Sequence, residues 1–227
     1  MAFDVSPPRD CSLCPRLAAF RTANRAQFPD WSNAPVESFG DNNARLLIVG
    51  LAPGLRGANR TGRPFTGDFA GELLYATLLA YGFAAGVYDR RPDDGLTLVD
   101  CAIANAVRCV PPQNKPSPDE IANCRPYLTG AVAALKELKA VIALGRIAHD
   151  SALKAMGSRL KAFPFAHGAV HALPSGVALY DSYHCSRYNT NTGVLTPEMF
   201  ASVFQAVRAR LDALANRAGV ALTGPAV

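Results

Sequence analysis

The chain has 227 residues, carries 23 Lys and Arg against 18 Asp and Glu for a net charge of +5, and is 49% hydrophobic. That length and apolar content suit one large domain spanning 1–227 and exclude a wholly disordered chain. The longest helix-like stretch free of charge, Leu73 to Tyr88, is 16 residues long and holds two glycines, short of the ~20 a membrane span requires.

The first ten residues, MAFDVSPPRD, place Asp4, Pro7 and Pro8 where a signal peptide needs its apolar core, so a cytoplasmic chain is expected. After a CSLC segment, Pro15 to Gln27 reads as a short amphipathic helix and Phe28 to Asn43 as loop. Arg45 to Gly50 is an unbroken apolar run that suits a fully buried strand. A polar, glycine-rich loop runs to Asp68, and Phe69 to Tyr81 reads as a helix with Leu74, Leu78 and Tyr81 on one face. Thr97 to Asn105 is the second strand. Ser117 caps a helix starting at Pro118, with Glu120 as its capping-box partner. Ala140 to Gly145 is the third strand, Arg146 to Met156 a helix, Gly176 to Tyr183 the fourth strand, and Pro197 to Arg217 the final helix. Strands alternating with helices predict a three-layer α/β/α sandwich around a central parallel four-stranded sheet.

Six cysteines punctuate this pattern. Without a secretory signal, a disulfide framework is not expected. Cys101, inside an apolar run, and Cys185, after His184, read as small buried side chains. Cys11 and Cys14 form a close pair, whereas Cys109 and Cys124 enclose fourteen residues and are flanked by Arg108 and Arg125. Four such thiolates suit a structural zinc or an iron–sulfur cluster, and the wide second pair favours the larger group.

In a parallel α/β fold, ligands bind outside the carboxyl ends of the strands. The segments after strands one, two and four read GLAPGLRGANRTGRPFTGD, NAVRCVPPQNKP and HCSRYNTNTG, and topology brings them to one edge. Glycines in the first loop allow close backbone approach to a ligand, and Arg56, Arg60 and Arg63 beside them suit phosphates. Neither a dinucleotide nor a P-loop pattern is present. Phe65 is an aromatic in a polar loop and suits stacking on a planar ligand. Asp68 precedes a helix, as a cap or an active-site carboxylate. His184 ends a strand at the same edge, and Asn105, Asn114 and Asn189 carry amides able to read a base edge.

With CSLC and ALGRIA, these three loops resemble the uracil-DNA glycosylase superfamily over nearly the whole chain, and its family 5 above all. The resemblance implies a [4Fe–4S] cluster on Cys11, Cys14, Cys109 and Cys124, clamping an N-terminal arm (about 1–43) to the domain. It implies hydrolysis of the N-glycosidic bond of uracil in DNA, and of other deaminated bases such as hypoxanthine and xanthine, by a monofunctional, nucleoid-associated monomer. Family 4 relatives carry an acidic residue just after the first motif glycine, where this chain has Leu51, the family 5 pattern. That leaves Asp68 as the nearest carboxylate. Asn105 matches the base-binding asparagine of family 4, a position that varies in family 5. The implied roles are catalysis by Asp68, Asn114 and His184, base binding by Gly50, Ala52, Phe65 and Asn105, and DNA contact by Arg56, Arg60, Arg63, Ser186, Arg187, Tyr188 and Asn189. The alternatives are a strictly uracil-specific, family 4-like enzyme and a non-catalytic damaged-DNA-binding cluster or zinc protein.

Overall fold

The computed structural model describes residues 6–222. Its strands are β1 (Phe39–Gly40), β2 (Leu46–Gly50), β3 (Ala84–Ala85), β4 (Thr97–Leu98), β5 (Cys101–Asn105), β6 (Ala140–Leu144), β7 (Val170–Ala172) and β8 (Ala178–Ser182). Its helices are α1 (Pro15–Gln27), α2 (Ala58–Thr61), α3 (Phe69–Ala80), α4 (Pro118–Ala134), α5 (Arg146–Ala155), α6 (Arg187–Asn191) and α7 (Pro197–Leu222).

The main sheet has the order β1-β5-β2-β6-β8-β7. Its four middle strands are parallel, and each is buried at all five positions, which is why they read as apolar runs without alternation. The expected four-stranded sheet is thus its parallel core, to which two antiparallel edge strands are added. Those edges, of two and three residues, are too short for any period to register. β1 lies in the stretch expected to be loop, and Gly40 lets it pair there. At its φ of +132° a Cβ would stand 2.4 Å from the Cys101 carbonyl oxygen.

The expected strand 97–105 divides at Asp100, whose φ is +54°. Arg45 donates to the Asp100 carboxylate from its backbone N–H and its guanidinium, which holds the turn. Thr97–Leu98 pairs instead with Ala84–Ala85 in a small second sheet.

Period-two alternation sends the two faces of each central strand to different helix layers. Leu46, Ile48, Ile103 and Ile142 pack against Leu74 and Leu78 of α3 and Phe200, Phe204 and Val207 of α7. Leu47, Val49, Ala104 and Val141 pack against Leu128 of α4 and Ala152 and Leu153 of α5. The architecture is a three-layer α/β/α sandwich. The capping box of Ser117 and Glu120 forms as expected, and the Glu120 carboxylate also takes a two-pronged bond from Arg16 of α1, at 2.8 and 2.7 Å. That pair and the contacts of Leu17 with Val107 and Cys124 dock the N-terminal arm on the domain. Among the described residues no helix is long and apolar enough to cross a membrane.

Candidate active site

A cavity of about 340 Å³ opens at the carboxyl ends of the parallel strands. Three loops build it. The loops after β2 and β5 are tied together by backbone bonds from Ala106 to Gly50 and from Val107 to Leu51, both 2.9 Å. At Gly50 a Cβ would lie 2.3 Å from Asn105 Oδ1 and 2.7 Å from the Phe65 ring. Gly50 therefore makes room beneath the cavity rather than lining it. Asn105 lines the cavity and is buried at 3% exposure, and its Oδ1, against Gly50, has no hydrogen-bond partner within the protein.

Phe65 adopts a φ of +52°, an uncommon conformation for a non-glycine residue that concentrates at functional sites. The Tyr88 hydroxyl donates to its carbonyl at 3.2 Å, and Tyr75 donates to that of Pro64 at 2.6 Å. The loop also depends on Gly71, where a Cβ would meet the Phe65 oxygen at 1.7 Å. So held, the Phe65 ring forms one wall of the cavity, its centroid 6.1 Å from that of His184.

Asp68 caps α3, its Oδ1 accepting from the Gly71 N–H at 3.1 Å. Its Oδ2 occupies space cleared by Gly54 and Gly57, where added Cβ atoms would stand 3.0 and 2.4 Å away. Burial pushes this carboxyl above the usual carboxylate range, opposed by the N–H groups of Gly71 and Ala70. Asp68 is thus the cap of α3, and its second oxygen faces Gly54 and Gly57 beside the cavity.

His184 enters from the end of β8. Burial lowers its pKa to about 4, leaving a neutral imidazole with one N–H to donate. Its backbone carbonyl accepts from the Asn189 side-chain amide at 2.8 Å. Asn189 thus fastens the histidine turn, and it does not line the cavity. Ser186 caps α6. Arg187 sits with its guanidinium 5.2 Å from the Phe69 ring centroid. Tyr188 is 75% exposed. Asn114, in a short 3₁₀ turn with a φ of +56°, completes the rim.

Ala52, Phe65, Asp68, Asn105, Asn114, His184, Ser186 and Arg187 therefore share one cavity. Arg56 and Arg60 are exposed outside its lining. Arg63 requires a correction, because it is buried at 5% exposure and offers no surface for DNA. It donates to both Asp94 carboxylate oxygens at 2.8 Å and to the Thr66 hydroxyl at 2.7 Å, within 6 Å of the Phe39, Tyr75 and Tyr88 rings. Its task is to pin the Phe65 loop to the 89–96 segment. Tyr88 and Phe69 were missed in the sequence, since Tyr88 sits in an irregular excursion and Phe69 reads only as a first helical residue.

Arg63→Ala is expected to cost about 3–5 kcal/mol, because it strands the enclosed Asp94 carboxylate, and to lower Tm by about 10 °C. The Arg63 guanidinium holds Asp94 well below the usual carboxylate range. That stabilisation is present above the unfolded carboxylate pKa and fades as pH falls through the lowered one. The gap in melting temperature between variant and parent should therefore narrow in acid.

Cys11, Cys14, Cys109 and Cys124 line a second, small cavity of about 20 Å³. The Arg108 backbone N–H donates to Cys124 Sγ at 3.2 Å, Arg21 to Cys109 Sγ at 3.5 Å and the Asn123 amide to Cys14 Sγ at 3.7 Å. Burial pushes the thiols of Cys109 and Cys124 up to about 12 and about 11. Four clustered sulfurs, three of them with N–H donors aimed at them, form a donor set that suits a cationic metal group. Cys101 and Cys185 are fully buried elsewhere, as expected of packing residues.

The sequence profile of the uracil DNA glycosylase superfamily matches residues 37–208. A type-5 uracil-DNA glycosylase of Thermus thermophilus is 46% identical over 199 residues, 85% of this chain and 90% of that protein. One of Pyrobaculum aerophilum is 40% identical over 208 residues, 90% of this chain and 89% of that protein. A type-4 enzyme of the same organism is 36% identical over 152 residues, 66% of this chain and 63% of that protein. With the match covering fold and cavity alike, this chain belongs to the uracil-DNA glycosylase superfamily, in its type-5 branch.

Proposed function

We propose that the protein excises uracil and other deaminated bases from DNA, hydrolysing the N-glycosidic bond and leaving an abasic site. The observation that carries the proposal is Asn105, its Oδ1 unpartnered, at the lining of a cavity walled by Phe65 and by a neutral His184. Uracil and hypoxanthine carry a ring N–H, and cytosine and adenine a lone pair, at the corresponding edge. An acceptor oxygen therefore rewards the deaminated base and is left unsatisfied by its parent.

A stacked base cannot reach such a cavity, so the nucleotide flips out of the duplex at a cost of a few kcal/mol, least at a mismatch. Exposed Tyr188 and Arg187 fill the vacated stack, while Arg56 and Arg60 contact phosphates. Phe65 stacks on the extruded base. As the bond breaks, negative charge grows on the base and positive charge on the sugar. His184 donates its N–H toward the base carbonyl, and the Asp68 carboxylate, with Asn114, orients water against the sugar and stabilises its charge.

Cys11, Cys14, Cys109 and Cys124 hold an iron–sulfur cluster of the [4Fe–4S] type. Base hydrolysis moves no electrons, so the cluster contributes structure. Cys109 stands between Asn105 and Asn114 in sequence and ties that loop to the N-terminal arm.

Duplexes bearing uracil or hypoxanthine, incubated with the protein and then cleaved by alkali, test this reading. Strand breaks at both bases, and none at cytosine or adenine, are expected. Breaks at uracil alone would favour the strict family 4-like reading. Binding without any alkali-labile site would reduce the protein to a damage-recognition module.

A further inference from the structure

We propose that His149, His171 and Asp181 form a binding site for one divalent cation of the zinc type, separate from both the base cavity and the cysteine cavity. One ring nitrogen of each histidine and one Asp181 oxygen lie within 4.8 Å of one another. They come from three elements, α5, β7 and β8. His149 and Asp181 are buried at 1% and 0% exposure, and the His171 side chain is 12% exposed.

Donor and acceptor accounting points to a missing positive group. His149 Nδ1 is 2.6 Å from Asp181 Oδ1, and its Nε2 is 2.9 Å from the Phe163 carbonyl oxygen. His171 Nε2 approaches Asp181 Oδ2 at 3.1 Å, and the Ala166 N–H donates to the same oxygen at 3.4 Å. A neutral imidazole has one donor and one acceptor nitrogen, yet both nitrogens of His149 face acceptors. An imidazolium or a metal ion on Nδ1 meets both demands of His149, and only the metal ion also takes the His171 nitrogen. A metal ion serves both imidazoles and the carboxylate at once.

The surroundings match that use. With Nε2–H donating to the Phe163 carbonyl, Nδ1 is the nitrogen left free to ligate, on the side of Asp181, as ligating histidines are oriented by an outer carbonyl. The Phe165 ring stands edge-on to His149 at 5.5 Å, and Phe163 to His171 at 5.7 Å, giving an apolar shell. Three protein ligands leave the fourth tetrahedral position to water, and the partial exposure of His171 provides entry. Bonds of about 2.0–2.1 Å set ligand atoms about 3.3 Å apart, so the 2.6 Å His149–Asp181 separation opens by about 0.7 Å, and wider ones close, as the ion seats. Asp181 lies three residues before His184, and the ion would brace that strand end.

Zinc chloride added to the protein as isolated, with its visible colour followed throughout, tests the site. We expect one tightly held zinc per chain beyond any metal on the cysteines, with the colour unchanged. At zinc well above Kd, Tm should rise by about 5 °C, reversed by a chelator. His171→Gln, at the exposed edge strand, should weaken zinc binding by about 100-fold or more. Asp181→Asn, which keeps the shape and drops the charge, should do the same. Cobalt in place of zinc should give weak visible bands without thiolate charge transfer. No retained zinc, equal binding by both variants, or a thiolate band showing the metal at the cysteines would each overturn the site.

Discussion

Asp68→Asn is expected to slow single-turnover excision of uracil by about 10²–10⁴-fold while leaving Tm unchanged or slightly raised. The two expectations separate because the two oxygens have different partners. Asparagine keeps an oxygen able to accept from the Gly71 N–H, so the cap on α3 survives. What is lost is the charge on Oδ2, which faces Gly54 and Gly57 at the cavity. Burial raises the Asp68 pKa, so the folded state holds that proton more readily than the unfolded chain and the ionised form costs stability at neutral pH. Removing the charge relieves that cost. The pH profile supplies a further check. As pH falls through the raised pKa the carboxylate is lost, so the parent's rate should decline on the acid side above the ordinary carboxylate range. His184, at about 4, is neutral across that limb and adds no inflection between pH 6 and 8. His184→Ala, which removes the donor to the departing base, should cost about 10²–10³-fold without shifting the limb. An Asp68→Asn enzyme that kept a tenth of the parental rate would assign the water-orienting role elsewhere.

The parallel strands were legible because burial on both faces leaves unbroken apolar runs such as Leu46 to Gly50. The edge strands were not, since Phe39–Gly40 owes its pairing to a glycine backbone pressed on Cys101. At the site, chain topology alone brought Phe65, Asp68, Asn105 and His184 together. Arg63 shows what loop composition conceals. Three arginines among glycines read as a phosphate-binding set, yet one pairs with Asp94, 31 residues on, through a fold no local pattern encodes. Asn189 is similar, its amide committed to the backbone of His184. His149 falls within the stretch Arg146 to Met156 that reads as a helix, and its pairing with Asp181 depends on where β8 lies beside that helix.

Cys109→Ala is expected to remove the visible colour and to destabilise the chain by at least about 4–5 kcal/mol, a fall in Tm of about 10–15 °C. The size follows from what the cysteines join. Cys11 and Cys14 belong to the N-terminal arm, Cys109 to the loop after β5, and Cys124 to α4. The N-terminal end of the arm otherwise rests on the Arg16–Glu120 pair, on Leu17 and on the Asn123 amide bonded to the Leu13 carbonyl. Its later part is held by Val36 on the Arg108 carbonyl and by β1 on β5. Loss of one sulfur would open the proposed cluster, and it leaves Arg21, 5% exposed, without its sulfur partner. Because Asn105 and Asn114 flank Cys109 in sequence, excision should fall with stability, through displacement of the loop that carries both amides. A cluster with no electron to move predicts coupled losses: the colour, the melting temperature and the activity decline together. Activity lost in a variant whose colour and Tm were intact would place the cluster in the chemistry itself.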